Sequence, residues 1–425
     1  MLAVTGPVHA QEAIEGLNAA QLFDFADARR AAGSIDDALA IYDALSSDPD
    51  PDIRTEARYR KGLMLADLRR FAEAAVAFRA LLDEKPDVVV ARLELARMLA
   101  AMGRETEARR TLRQAQAAGI PDEAAIAVDQ FAQALRSPKR LGGSIDLAFA
   151  PDTNINRATQ ARTLDTIIAP LTLSEDARAQ SGIGVRVAGQ AFAKLGLTDR
   201  LSLLPRLSGL ANLYRNGGFN DVSASALVGL EWQDDGNRVS PSVGETYRWF
   251  GGQRYARTRT ATVDWLRSID RLSQIVASGS ASRARYDQNA LQDGMIYDLS
   301  LAYERALDRS TGITVTPSAT RQTAEDPGYA TWAYGMTLGG WREVGAGTVF
   351  LSSGIRRTEG DTRLFLFPER RQDWLLTVRA GATLRALSFA GLAPKLRLNL
   401  ERNFSTVGIY DYRRIAAEFG IRRAF

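Results

Sequence analysis

The 425-residue chain has no cysteine and one histidine, His9. Lack of cysteine excludes disulfides, thiolate metal sites, a cysteine nucleophile and the attachment point of a lipoprotein acyl chain. With the only imidazole in the first dozen residues, the folded part has no histidine for base catalysis. No catalytic residue, metal ligand, cofactor or enzyme activity is therefore expected. Long apolar runs are also missing, and none approaches the roughly 18 residues of a membrane helix. Such a chain can span a bilayer only as a closed barrel, where every backbone group is paired internally. Charge of one sign is scarce: the net charge is +4, residues 1–140 balance at −3 and the remainder at +7. A mild excess spread along the chain is no nucleic-acid footprint.

What is present begins with Val8-x-Ala10, which resembles a signal-peptidase site behind a short apolar stretch. The usual basic n-region is missing, so the leader is expected to begin upstream. Residues 1–16 are read as a signal-peptide remnant or a disordered tail.

Residues 17–138 alternate apolar and charged positions at helical spacing. One pattern occurs three times: Gly33…Ala38…Tyr42, Arg69…Ala74…Phe78 and Gly103…Ala108…Leu112. The steps of 36 and 34 residues lie close to the 34-residue tetratricopeptide period. A small residue at the turn, alanine where two helices touch and a bulky side chain beneath them fit a helix–turn–helix unit. Pro51, Pro86 and Pro121 are expected between units, where a missing N–H does least harm. Three repeats are about the minimum for a stable stack, and such stacks commonly present a concave face to a protein partner.

After Lys139-Arg140 helical spacing gives way to alternation, and all six tryptophans lie beyond this point. Ile145-x-Leu147-x-Phe149, Ile183-x-Val185-x-Val187, Val228-x-Leu230-x-Trp232, Met295 to Tyr303, Trp374 to Ala380 and Leu396-x-Leu398-x-Leu400 are the clearest cases. Period two puts one face in an apolar medium and the other in water. There are about 14 such segments, many near the length a tilted strand needs to cross a bilayer. Short turns such as 197–200, 234–237, 268–270 and 343–345 separate longer loops at 151–181, 214–221, 285–294, 321–328, 357–372 and 403–413, the outer-membrane arrangement. Tryptophan and tyrosine near segment ends suggest interfacial girdles. The predicted fold is α+β multidomain: tetratricopeptide-like helical repeats, then a transmembrane antiparallel β-barrel of about 14 strands over residues 139–425. An even strand count returns the C-terminus to the side where the first strand began, which puts the repeats beside the short turns, in the periplasm.

The end of the chain, Glu418 to Phe425, is similar to the terminal-strand signal read by the barrel assembly machinery. Glu418, Gly420 and Phe425 match, while Arg423 stands where an apolar residue is usual. At the junction, Ala150-Pro-Asp-Thr-Asn-Ile-Asn-Arg-Ala158 resembles the signature that opens the barrel of the surface lipoprotein assembly modulator (Slam) family. The likeness covers the whole chain in architecture and about ten residues closely. It implies protein translocation: members move surface lipoproteins, or soluble haem-binding proteins, from periplasm to cell surface or medium. Partners would then be an exported lipoprotein or secreted haem- or metal-binding protein, a periplasmic chaperone, the assembly machinery and outer-membrane lipid.

Pro151, Asp152, Asn154, Asn156 and Arg157 are expected just after the first strand. Short polar side chains there bond their own backbone, as a simple capped loop or as a polar latch inside the barrel mouth. The inward phase of the twelfth and thirteenth strands offers Arg379, Arg385, Lys395, Arg397 and Glu401 as pore lining. A barrel of this size passes an extended peptide rather than a folded domain. The competing readings are a polysaccharide exporter with a repeat scaffold, a solute porin and, most weakly, an outer-membrane hydrolase.

Overall fold

A computed structural model describes residues 17–117, 141–234, 236–345, 347–384 and 393–424. Val8 and Ala10, Pro121, Lys139 and Arg140, Arg385 and Phe425 lie outside the described residues. The chain divides into two compact units, with the boundary between Leu99 and Ala100.

The first unit holds helices α1 (Ala19–Ala31), α2 (Ile35–Leu45), α3 (Pro51–Asp67), α4 (Phe71–Glu84) and most of α5 (Val89–Ala101). Asn18 and Gln21 form a capping box at the start of α1, which satisfies N–H groups the helix itself leaves unpaired. Pro51 is the first residue of α3 behind the Asp50 cap, so it opens a helix rather than separating units. That position has no N–H to lose.

The periodic positions of the repeat acquire a backbone reason. Gly33, Arg69 and Gly103 all adopt left-handed φ values, +80°, +57° and +71°. The N–H of the following residue reaches back five positions, Ser34 to Arg29 and Arg70 to Leu65, at 2.9 Å each; this closes the helix end in a Schellman-type turn. Conformation rather than size sets the position, which is how an arginine fills one of the three. Ala38, Ala74, Tyr42 and Phe78 are fully buried, and Gly62 makes room for the Phe78 ring, 2.7 Å from where a Cβ would sit.

The second unit holds α6 (Glu105–Ala117) and fourteen barrel strands among the described residues. They are β1 (Leu141–Asp152), β2 (Gly182–Ala193), β3 (Leu201–Tyr214), β4 (Asp221–Asp234), β5 (Asn237–Phe250), β6 (Gln253–Ser268) and β7 (Ser273–Tyr286), then β8 (Gly294–Ala306), β9 (Thr311–Gln322), β10 (Thr331–Val344), β11 (Gly347–Arg363), β12 (Arg370–Leu384), β13 (Ala393–Ser405) and β14 (Tyr412–Ala424). Each pairs antiparallel with its sequence neighbour, and β14 returns to β1 to close the barrel. Closure gives every strand a neighbour on both sides, the condition for strands in lipid.

Along the strands the large apolar side chains point outward and stay exposed: Leu147 and Phe149, Leu299 and Leu301, Trp332 to Leu338, Trp374 to Val378, Leu396 to Leu400. The opposite phase is polar. Trp341 departs from the girdle expectation. It shares the odd-numbered phase of β10 with Glu343, opposite Met336 and Leu338, and so faces the lumen.

Two connections on the long-loop side are shorter than the outer-membrane arrangement led us to expect. The β5–β6 connection, on the long-loop side, is only Gly251-Gly252, both at positive φ. The loop expected at 357–372 shrinks to 364–369, because β11 continues to Arg363 and β12 begins at Arg370. Beyond the bilayer both strand faces meet water. The ladder continues there without apolar alternation to announce it.

Candidate functional site

Two features stand out in the barrel unit: a polar lumen, and a long first loop clasped over the outer mouth.

Inward side chains form ion pairs and hydrogen bonds from strand to strand. Lys194 meets Glu231 at 2.6 Å, Arg206 donates to the Ser242 hydroxyl at 2.6 Å and Ser278 to Asp264 at 2.8 Å. Near the closing seam, Lys395 Nζ lies 3.3 Å from Asp146 of β1 and Arg397 3.1 Å from Glu418 of β14. Glu401 and Arg379 share this inward phase, Arg379 opposite Asn399 in register. On the turn side, α6 meets the lumen-facing residues of β10. Arg110 lies 4.7 Å over the Trp341 ring, and Gln114 Nε2 donates to Glu343 at 3.0 Å.

At the outer end, Pro151 and Asp152 complete β1 rather than follow it, in register with Ile183 and Gly182 of β2. Asp152 is buried and accepts two hydrogen bonds from Arg414, from Nε at 2.8 Å and Nη2 at 2.6 Å, besides the Asn154 N–H at 2.8 Å. The Nη1 of Arg414 donates to Glu401 at 2.5 Å. Glu401 also accepts from Arg157, at 2.9 and 3.2 Å, and from the Tyr412 hydroxyl at 3.2 Å. One charge network thus ties the loop 153–181 to β13 and β14. Arg157 sits at φ +46°, a region costly for a side chain with a Cβ.

The asparagines are structural in a specific sense. Asn154, fully buried, donates to the carbonyls of Ala158 and Arg413 and accepts from the Ala158 N–H. Asn156 donates to the carbonyls of Asp176 and Arg178 and accepts from the Gln180 N–H. They gather both ends of the loop and pin it to β14. Further out, Leu164 packs with Leu364, Phe367 and Val407, joined by Leu173, Tyr329 and Tyr410, so the same loop is seated on three others. A cavity of about 430 Å³ lies under this seat, walled by Leu164, Asp165, Phe367, Arg402, Tyr412 and Arg413 among others.

The seam itself is uneven. β1 and β14 pair from Ser144 opposite Ala424 to Phe149 opposite Phe419, and then only at Asp152 opposite Ala416. The break falls at Ala150-Pro151, where proline has no N–H for a ladder bond. Gly420 lies inside the paired part, and a Cβ there would come within 2.6 Å of the Leu147 carbonyl. Its small size is needed for strand contact at the seam.

Sequence reasoning missed Arg414, Tyr412 and Asp146, and it named Glu418 only as part of the terminal-strand signal, not as the partner of Arg397. Parity along β14 marks Tyr412, Arg414 and Glu418 as inward, opposite Ile415 and Phe419. Their partners, far away in the chain, leave no local signal.

A closed 14-stranded barrel with a lipid-facing apolar exterior, a polar lumen and tetratricopeptide-like helices defines an outer-membrane protein, its repeats on the periplasmic side. Residues 143–425 match the surface lipoprotein assembly modifier model, and residues 65–135 match a tetratricopeptide repeat model. The chain belongs to the surface lipoprotein assembly modifier family. The hemophilin secretion modulator of Acinetobacter baumannii is 22% identical over 393 residues, 84% of this chain and 79% of that protein. Among solved structures, the outer-membrane protein OmpT of Vibrio cholerae, folded in vitro, aligns with TM-score 0.40 at 10% identity over 67% of this chain and 97% of its own. A bacterial polysaccharide outer membrane secretin aligns with TM-score 0.36 at 10% identity, over 68% of this chain and 100% of its own.

Proposed function

We propose that the protein exports a partner protein, a surface lipoprotein or a secreted haem- or metal-binding protein, across the outer membrane without catalysing a covalent reaction. The observation that carries this is the clasp of Asp152, Arg414, Glu401 and Arg157. A loop built into the mouth and held by charge is a lid that an emerging chain displaces. The ion-paired lumen suits an extended, hydrated polypeptide. Periplasmic delivery, with a chaperone, falls to the helical repeats, and Gly420 with Phe425 is read as the signal for the assembly machinery.

A lipidated cargo adds a constraint. Each acyl CH₂ is worth about 0.8 kcal/mol in the bilayer, so drawing a lipid anchor through a wet lumen is costly. Opening the interrupted β1–β14 seam lets the anchor stay in lipid while the polypeptide passes. In the gene's own host, deletion should remove one protein from the surface or medium. Asp152→Ala with Asn154→Ala should lower that protein's appearance while barrel abundance stays unchanged. Normal export by the double variant would sink the lid reading, and loss of an extracellular polymer instead of a protein would favour a polysaccharide exporter.

A further inference from the structure

Two loop tips on the outer face leave their largest side chains uncovered. The turn of the first loop exposes Ile167, Ile168 and Leu171, and the β11–β12 tip exposes Phe365 and Leu366. Ile168 and Phe365 are the extremes, 75% and 73% exposed. The tips touch: the Ile167 N–H donates to the Leu366 carbonyl at 3.0 Å. They are also seated, because Leu164, Leu364 and Phe367 form a buried cluster immediately beside them. The patch is therefore held in place by a small core of its own.

Lipid does not fit as its occupant. Between the patch and the last outward apolar residues, Ile355 and Trp374, the hairpin legs carry Arg356, Arg357, Glu359, Asp361 and Arg363 on β11 and Arg370, Arg371 and Asp373 on β12. At about 3.4 Å per residue and a barrel tilt near 40°, the run from Ile355 to Arg363 lifts the tip roughly 20 Å beyond the hydrocarbon edge. A second copy fits poorly as well. Five side chains offer on the order of a few hundred Å², against about 800 Å² per partner in a stable interface. A small apolar surface suits a transient contact. The 430 Å³ cavity is lined by Leu164 and Phe367 beside the patch and also by Tyr412 of the clasp, so the patch adjoins the residues that hold the lid.

We infer that Ile168 and Phe365, with their three neighbours, are an exit contact for the exported polypeptide: an unfolded segment with bulky apolar side chains rests there before it folds outside. This rests on the export reading. The test uses the full chain in cells, with a photo-crosslinking amino acid at position 168 or 365. Expected are adducts with the same protein whose appearance the deletion strain loses, and none from position 291, where Leu291 is exposed on another outer loop. Ile168→Ser with Phe365→Ser should lower that protein's export about tenfold at unchanged barrel abundance. Ile168→Leu with Phe365→Met should preserve export, and Leu291→Ser should leave it unaffected. Adducts only with lipid or a second copy, or undiminished export by the serine pair, would overturn the exit contact alone. A deletion strain that loses no protein would overturn the export reading and the contact with it.

Discussion

Replacing Arg414 by methionine tests the clasp most directly. The change keeps a long side chain and removes three hydrogen bonds, two to Asp152 and one to Glu401. Glu401 retains Arg157 and Tyr412. Asp152, its side chain 3% exposed, retains only the Asn154 N–H. Removing one partner of a buried ion pair costs about 3–5 kcal/mol, because the other charge is left buried and unmatched. The chain can avoid that cost by lifting the loop and hydrating Asp152. The closed-to-open ratio should then fall roughly 10²- to 4 × 10³-fold, at 1.4 kcal/mol per decade. In planar bilayers the variant should show a higher and noisier conductance, and in proteoliposomes trypsin should cut more readily at Arg162 and Arg178. Adding Asp152→Asn removes the stranded charge and should return part of the protection. Wild-type conductance and trypsin resistance in Arg414→Met would refute the idea that this pair holds the lid.

Two further outcomes concern the helical unit. Arg69→Gly replaces a side chain held at positive φ; the left-handed region costs an L-residue roughly 1–2 kcal/mol, partly offset by the greater freedom of glycine in the unfolded chain. A net gain of about 0.5 kcal/mol should raise the helical melting temperature, read at 222 nm in micelles, by about 2–4 °C; a fall would mean that Arg69 makes a contact worth more than its backbone strain. The hydrogen bond from Arg54, supported by Arg58, holds the Glu84 carboxyl below its ordinary pKa. Its contribution is thus present above the unfolded-state pKa near 4.5 and is lost as pH falls through the depressed folded value. Helical stability should drop on acidification below about pH 4.5, less steeply in Glu84→Gln; identical pH slopes would exclude this pair as a source.

The order and type of elements were legible because each has a one-dimensional signature. Period two in Leu396-x-Leu398-x-Leu400 reflects a strand with lipid on one side and water on the other, and the same parity put Lys395, Arg397 and Glu401 on the inner face. The 36- and 34-residue steps marked the helical turns, though the need for left-handed backbone at Arg69 shows only in the dihedral angles. The extensions of β11 and β12 were hidden, since alternation vanishes where both faces are wet.

By itself, then, the amino-acid order determined which segments become helices, which become strands and which side of each strand meets lipid, since neighbours in the chain decide these locally. Only the tertiary structure decided that Asp152 finds Arg414, that Leu164 shares a core with Phe367 and Val407, and that the seam is interrupted at Pro151. Those contacts join residues as many as 262 positions apart. They exist because closing the barrel brings its first strand beside its last, a geometry that no local pattern encodes.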